Sequence, residues 1–289
     1  MQIIFAFLPF ISILIGLVAA WAVLAAWMKM WLLVFGCFFG FKFMTYYQYQ
    51  IHHRQIVTWP RLFLYTFCWF GMDAKKFLNP EIKLAKPEPG YGLWVIGCAF
   101  TGIFLIWGIP RFFKVSDYLQ AWFALAGVFY LLYFTLFQWS SLILRYAGVH
   151  AAPFMHEPFL LTSLSDFWGK RWNMAFRQLM HDFFFKTVSI SHGPHIAAWL
   201  VFFTSGLFHE LIFSVPAQGG WGQPMLYFMI QWFGMRMEKT KWGRRYLKRK
   251  LAGKIYAFAF LILPVRLLFH DPFMYNVIIP FIHAIRSVQ

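Results

Sequence analysis

The chain has 289 residues, with 26 Lys and Arg, 10 Asp and Glu and 10 His, and a formal net charge of +16. Only 12% of the residues are charged and 61% are hydrophobic, whereas about 25% charged residues are typical of soluble domains. This composition excludes a disordered chain, which needs low hydrophobicity. It also excludes an ordinary soluble domain, because so few charged side chains cannot cover its surface.

Long stretches without Asp, Glu, Lys or Arg occupy residues 1–28, 90–110, 118–144 and 211–235. A helix needs about 20 apolar residues to cross ~30 Å of hydrocarbon, and its backbone polar groups must be satisfied internally. The stretches lack the alternating pattern of barrel strands. They therefore predict an all-α, polytopic transmembrane bundle with about seven to nine membrane-embedded helices and short interfacial helices. We expect a single domain over 1–289.

The N-terminal residues 3–47 are apolar except for Lys29 and Lys42, and they predict a helical hairpin that turns near residues 20–30. No basic segment precedes the first span, so we expect it to stay uncleaved. Residues 62–72 are apolar but too short to cross the membrane. Further spans or membrane helices are predicted at 92–109, 118–144, 194–215, 225–235, 255–269 and 272–285.

The loop 236–254 contains nine Lys and Arg residues, which the positive-inside rule places in the cytoplasm. Counting spans backwards puts 145–192 on the same side and 216–221 on the opposite side. The basic loop has two interpretations: a rim that attracts a phosphate-bearing substrate, or plain topology and contact with anionic lipids. Because membrane topology explains the charge, nucleic acid is excluded as a partner.

The three cysteines lie in apolar segments without metal-ligand spacing, so no metal site is expected.

The sequence Phe208-His209-Glu210 lies inside an apolar helix. His209 follows Pro194 by 15 residues, which places it ~22 Å along the helix and inside hydrocarbon. Ionisable groups at that depth are a functional hypothesis by default, and the preceding Ser205 and Gly206 leave room for an internal tunnel. The alternative is a histidine that holds two helices together.

A second cluster spans residues 165–173 and combines charged, aromatic and amide side chains. If the segment is one helix, Asp166 pairs with Lys170 and shares a face with Asn173. Trp168 and Trp172 then stack along another face. The alternative is an interfacial belt of tryptophan with basic residues.

Together the clusters suit proton abstraction from an alcohol. A neutral histidine has a pKa near ~6.5 and can act as a general base at neutral pH. No nucleophile motif and no nearby cysteine is present, which favours direct transfer of a group over a covalent enzyme intermediate.

The block SLSDFWGKRWN at 163–173, with His209 36 residues after Asn173, resembles the membrane-bound O-acyltransferase superfamily in its wax-synthase-like branch, as a bacterial-type member. Asp166, Trp172 and Asn173 match the block, and His209 matches the family histidine. The resemblance is strongest between 165 and 215, and it makes 150–270 the core motif region.

The resemblance implies an enzyme that moves a long-chain acyl group from acyl-CoA to the hydroxyl of a long-chain alcohol, sterol or glyceride-like acceptor. His209 would be the general base, and Asn173 would hold the thioester or orient the histidine. Acyl-CoA would be a co-substrate, with no permanently bound cofactor and no metal. The membrane would be the bacterial cytoplasmic membrane, or the endoplasmic reticulum in a eukaryote. Supporting roles fall to Asp166, Trp168, Arg171, Trp172 and Glu210.

Two other functions stay open. One is a small transporter with His209 and Glu210 as a proton relay, although the inverted repeats and paired broken helices of transporters are not visible in the sequence. The other is an acyltransferase of the same superfamily that modifies a sugar, a peptide or a secondary metabolite.

Overall fold

The computed structural model describes residues 21–53 and 56–287, and these residues form helices and no strand. The first helix, α1, covers Ala26–His53, where the second arm of the N-terminal hairpin was predicted. The first arm of that hairpin, which contains the predicted first span, lies outside the described residues.

The other helices follow in chain order, with the longest connections at 79–90 and 147–163. They are α2 (Trp59–Phe63), α3 (Ala74–Leu78), α4 (Tyr91–Phe112), α5 (Asp117–Tyr146), α6 (Leu164–Asp166), α7 (Met174–Met180), α8 (Pro194–Ala217), α9 (Gln223–Glu238), α10 (Lys241–Tyr246), α11 (Lys250–Leu268) and α12 (Asp271–Phe273). Four of them continue beyond these ranges through π-helical turns: α2 through Leu64–Cys68, α6 through Phe167–Arg171, α7 through His181–Phe185 into Lys186–His192, and α12 through Met274–Ile278 into Ile279–Arg286. The ranges of α4, α5 and α8 already include π-helical turns at Phe104–Gly108, Tyr130–Leu136 and Glu210–Ser214.

Among the described residues, five helices have the length and composition to cross a membrane: α1, α4, α5, α8 and α11. The sequence predicted four of these spans at 92–109, 118–144, 194–215 and 255–269, and helices lie at all four positions. The short apolar segment 62–72 forms no spanning helix, as its length predicted. The chain is thus an all-α integral membrane protein.

Two prolines leave a backbone carbonyl of their helix without an N–H partner, and a side chain from another helix donates to each of these carbonyls. Pro110 has no N–H to donate to the carbonyl of Ile106, and Arg286 Nη2 donates to that oxygen at 2.7 Å. Gln231 Nε2 donates likewise to the carbonyl oxygen of Phe260, four residues before a proline, at 2.7 Å. Such hydrogen bonds fix α12 to α4 and α9 to α11 where hydrocarbon offers no water.

Lys42 is buried in α1, with 2% of its surface exposed. Its Nζ donates to the carbonyl oxygen of Gly71 at 2.6 Å and lies 3.8 Å from the ring centroid of Tyr65. The hydrogen bond and the ring face offset the cost of burying the amino group. The segment that follows α2 is thereby held against α1.

Candidate active site

A cavity of about 720 Å³ lies inside the bundle, between α1, α5, α7, α8, α9 and α11. This volume falls in the range of ~300–1,000 Å³ that is usual for small-molecule sites. The wall is mostly aromatic and aliphatic. The side chains with oxygen or nitrogen atoms that line it are Tyr133, Trp168, Trp172, Asn173, Arg177, His181, Ser205, His209 and Tyr227.

His209 lies in the part of the wall that α8 forms. This helix lines the cavity at helical spacing, from Ala198 through Ser205 to His209 and Phe213. The His209 ring is half-buried, and its centroid lies 4.4 Å from that of Phe228 and 5.4 Å from that of Phe213. The predicted general base therefore faces an interior space with aromatic walls.

The orientation of the His209 ring is set by its own helix. Nδ1 donates to the backbone carbonyl oxygen of Ser205 at 2.7 Å. The Ser205 hydroxyl donates to the carbonyl oxygen of Val201 at 2.8 Å and does not compete for the ring. In a neutral imidazole with a protonated Nδ1, Nε2 carries the lone pair. Nε2 is therefore the nitrogen that can take a proton.

Asn173 lines the same cavity from the start of α7. Its backbone is left-handed, with φ 41° and ψ 62°, a conformation that asparagine tolerates better than most residues. Its Oδ1 accepts from the N–H of Phe176 at 3.0 Å and caps the helix. Because Oδ1 has this partner, the Nδ2 amide group is the part of the side chain left to donate to a ligand.

The helical pairing predicted for 165–173 is wrong. The segment Phe167–Arg171 is a π-helical turn and Trp172 is extended, so the chain does not form one α-helix up to Asn173. In a π turn, residues five apart are neighbours, and Asp166 pairs with Arg171 at 2.6 Å (Oδ2 to Nε) in place of Lys170. Asp166 and Asn173 consequently do not share a helix face.

Asp166 and Arg171 hold the loop around the cavity without lining it. Asp166 Oδ2 also accepts from the backbone N–H of Thr162 at 3.0 Å, and Arg171 donates to the carbonyl oxygen of Glu157 at 3.0 Å. Burial raises the pKa of Asp166, but the hydrogen bonds and charge of Arg171 and the Thr162 bonds outweigh it. The net pKa lies below the usual value.

Trp168 and Trp172 both line the cavity, but the expectation that they stack along one face is also wrong. Trp172 stacks on Tyr133 at 6.0 Å and on Phe167 at 5.2 Å between ring centroids. The indole N–H of Trp168 donates to Gln231 Oε1 on α9 at 3.4 Å. The π-helical turn that ends at Arg171 separates the two rings. Trp172 packs against α5, and Trp168 packs against α9.

Glu210 faces α9 and does not line the cavity. Its Oε1 accepts from the backbone N–H of Met225, in the first turn of α9, at 3.1 Å. A carboxylate at a helix N-terminus satisfies an unpaired N–H and interacts favourably with the helix dipole. The structure thus shows Glu210 as a cap of α9, although it is next to His209 in sequence.

Glu238, at the other end of α9, has a similar role that the sequence did not reveal. Its carboxylate accepts from the backbone N–H groups of Leu164 and Ser165 at 2.6 and 2.9 Å, and from the Ser165 hydroxyl at 2.6 Å. Nearby, Arg236 Nη1 donates to His195 Nδ1 at 2.7 Å. The segments 145–192 and 236–254 therefore meet at one end of the bundle, as the distribution of basic residues predicted.

Arg177 and His181 line the cavity and were missed in the sequence. They follow Asn173 by four and eight residues, so the helical period could have placed them on one face. Both are exposed, which shows that this part of the cavity wall reaches the protein surface. Gly169, Asn173, Arg177 and His181 are called the polar end of the cavity below.

Residues 151–230 match the family model of the membrane bound O-acyl transferase family. Three curated relatives illustrate the similarity. A long-chain-alcohol O-fatty-acyltransferase of Simmondsia chinensis is 31% identical over 121 residues, 37% of this chain and 34% of the relative. An Arabidopsis thaliana protein named "Probable long-chain-alcohol O-fatty-acyltransferase 8" is 27% identical over 140 residues, 45% and 42% of the two chains. Acyl-CoA–sterol O-acyltransferase 1 of Arabidopsis thaliana is 32% identical over 95 residues, 30% and 27%.

These matches cover less than half the length of each relative. The family match contains Asp166, Asn173 and His209, the residues that carried the resemblance in the sequence. The resemblance is thereby confirmed: over this region the chain is similar to the membrane-bound O-acyltransferases and to relatives named long-chain-alcohol O-fatty-acyltransferases.

Proposed function

We propose that the protein is an acyl-CoA-dependent O-acyltransferase that esterifies the hydroxyl of a lipophilic acceptor with a long-chain acyl group. The acceptor is a long-chain alcohol, a sterol or a glyceride-like lipid. The observation that carries the proposal is that His209 and Asn173, far apart in sequence, line one apolar cavity. The names of the relatives, which act on long-chain alcohols and a sterol, support the substrate class.

In the proposed reaction His209 Nε2 takes the proton of the acceptor hydroxyl. The oxygen attacks the carbonyl carbon of the thioester, the new C–O bond forms, and the C–S bond breaks. The proton on the imidazolium passes to the departing thiolate, so the products are an ester and free CoA. The hydrogen bond from Nδ1 to Ser205 holds the ring for both transfers.

Asn173 is proposed to donate from Nδ2 to the thioester oxygen, where negative charge develops during the attack. A donor fixed before the reaction stabilises that charge without reorganisation, and the cap on Phe176 fixes this side chain. Orienting His209 is a less suitable role for Asn173, because Ser205 already fixes the ring.

The cavity is proposed to form an internal tunnel with the CoA moiety outside its polar end. CoA carries several phosphates and stays in water, whereas the aromatic wall suits an alkyl chain. Ser165, four residues before Gly169 of the polar end, donates to Glu238 of the basic segment 236–254. We propose that this end of the bundle faces the cytoplasm.

We further propose that the chain forms one domain over 1–289, with its core over 150–270 and about seven to nine membrane-embedded helices. The helices α9 and α12 would be embedded beside the five longer ones. The membrane would be the bacterial cytoplasmic membrane, or the endoplasmic reticulum in a eukaryote. The transporter alternative needs His209 and Glu210 in one relay, and the contact of Glu210 with Met225 argues against it.

The test uses purified protein in detergent with radiolabelled hexadecanoyl-CoA and a panel of hexadecanol, a sterol, a diacylglycerol, a sugar and a peptide. Ester and free CoA should form in equal amounts with one of the lipids. Without acceptor, no label should remain on the denatured protein. Ester formation only with the sugar or the peptide would contradict the proposed acceptor class, and protein-bound label would contradict direct transfer.

A further inference from the structure

A second, smaller cavity of about 130 Å³ lies beside the main one. Its floor is formed by Met30 of α1, Ala124 and Leu125 of α5, and Ile278 and Ile282 in the continuation of α12. These floor side chains are all buried. We call this space the annex.

The annex and the main cavity share part of their walls. The side chains that line both are Val34, Phe129, Tyr133, Phe137, Phe213 and Phe269. Phe269 contacts two of the other shared rings: its centroid lies 5.8 Å from that of Phe129 and 5.4 Å from that of Phe213. Except for Val34, the side chains that the two spaces share are aromatic. Rotation of such side chains requires no change of the backbone.

The position of His209 relates this partition to the proposed chemistry. Phe213 contacts the His209 ring at 5.4 Å between centroids and lies four residues further along α8, roughly 6 Å deeper. Glu238 contacts Ser165, and Arg236 contacts His195. The segment 163–173 and the start of α8 therefore lie at the same end of α9. The order along the bundle is therefore polar end, His209, Phe213 and annex.

An alkyl chain is the ligand that the annex suits. Space with this lining offers water almost no hydrogen-bond partners, and apolar cavities of this kind stay dry and bind apolar molecules. About 10–15 Å³ of such space admits one water, so the annex has room for several methylene groups.

We propose that the annex receives the terminal methylenes of the acyl chain and sets the longest chain that the protein uses efficiently. The inference rests on the proposed function, since it assumes acyl-CoA as donor. The CoA moiety must stay at the polar end, so the chain beyond a thioester at His209 continues towards Phe213. The side chains of Phe129, Phe213 and Phe269 rotate to admit a long acyl chain into the annex, whereas a short acyl chain ends before it reaches them.

Ala124→Leu tests the proposal because it fills the floor of the annex without touching the polar end or His209. Activity is measured with octanoyl-, dodecanoyl- and hexadecanoyl-CoA at a fixed acceptor. We expect the ratio of kcat/KM for hexadecanoyl- over octanoyl-CoA to fall about tenfold, because the terminal methylenes lose their burial. Ala126→Leu, on the same helix but lining neither cavity, should leave the ratio unchanged.

A second variant, Val128→Phe, narrows the annex from a half-buried position and should lower the same ratio if Ala124→Leu protein does not fold. Thermal stabilisation of wild type and variants by each acyl-CoA gives a readout that needs no turnover. Absence of ester with every donor would contradict the proposed function. Even then, thermal stabilisation that increases with acyl-chain length in the wild type, and does so less in the variants, would support the inference about the annex. An unchanged ratio in a folded variant, an equal loss for all chain lengths, or a shift in acceptor length would overturn the inference.

Discussion

In α8, the Nδ1 of His209 donates a 2.7 Å hydrogen bond to the backbone carbonyl oxygen of Ser205, one helical turn earlier. The bond leaves Nε2 as the basic nitrogen of a ring that lines the cavity. A histidine that served only to hold two helices together would be expected to direct a ring nitrogen to another helix. The partner of Nδ1 instead lies in the same helix, which favours a chemical role.

The first prediction concerns His209→Ala. Ester formation should fall by about 10²–10⁴-fold, the contribution of a general base, while detergent monodispersity is retained. His195→Ala is the matched control on the same helix, because His195 pairs with Arg236 and lies outside the cavity wall. Full activity in folded His209→Ala protein would exclude the general-base role, and a collapse of its fold would favour the structural one.

The second prediction separates the two uses of Asn173. Asn173→Asp keeps an oxygen that can cap Phe176 and tolerates the left-handed backbone, but it loses the amide donor. We expect kcat to fall by about 10²-fold or more with little change in Tm. Asn173→Ala loses both groups and strains the left-handed backbone, so it should lower Tm as well. Unchanged turnover in Asn173→Asp would remove the thioester role.

The third prediction distinguishes capping from proton transfer at Glu210. Glu210→Gln keeps an acceptor for the Met225 N–H and should retain most of the activity, since the cap requires no titration. Glu210→Ala removes the cap and should lower the free energy of unfolding by about 1 kcal/mol. The measurements are turnover and thermal unfolding of the three proteins. Loss of turnover in a stable Glu210→Gln protein would show that its proton matters.

The fourth prediction is a pH dependence of stability at Asp166. Its pKa is lowered in the folded protein, so the pair with Arg171 stabilises the fold above the unfolded pKa of ~3.9 and loses its effect as the pH falls through the folded pKa. Asp166→Asn should therefore lower Tm by several degrees at neutral pH. The difference from wild type should shrink in acid. A difference that is constant with pH would contradict the ion-pair role.

The sequence was sufficient for the features that depend on local composition. Long uncharged runs predicted helices in lipid, because hydrocarbon demands internal backbone hydrogen bonds. The basic loop predicted that 145–192 and 236–254 lie on the same side of the membrane. The depth of His209 followed from the helical rise after Pro194. Such inferences need only the geometry of a single helix and the knowledge of whether lipid or water surrounds it.

Only the tertiary structure decided what each polar side chain touches. The π-helical turn at Phe167–Arg171 gave Asp166 a partner five residues away and turned Asn173 into a cap. The Glu210 side chain accepts a hydrogen bond from the N–H of Met225 in α9, although Glu210 is next to His209 in sequence. The annex behind Phe213 arises where α1, α5 and α12 meet. Side-chain periodicity describes one helix, whereas caps, ion pairs and cavities depend on how several helices pack, which local sequence does not encode.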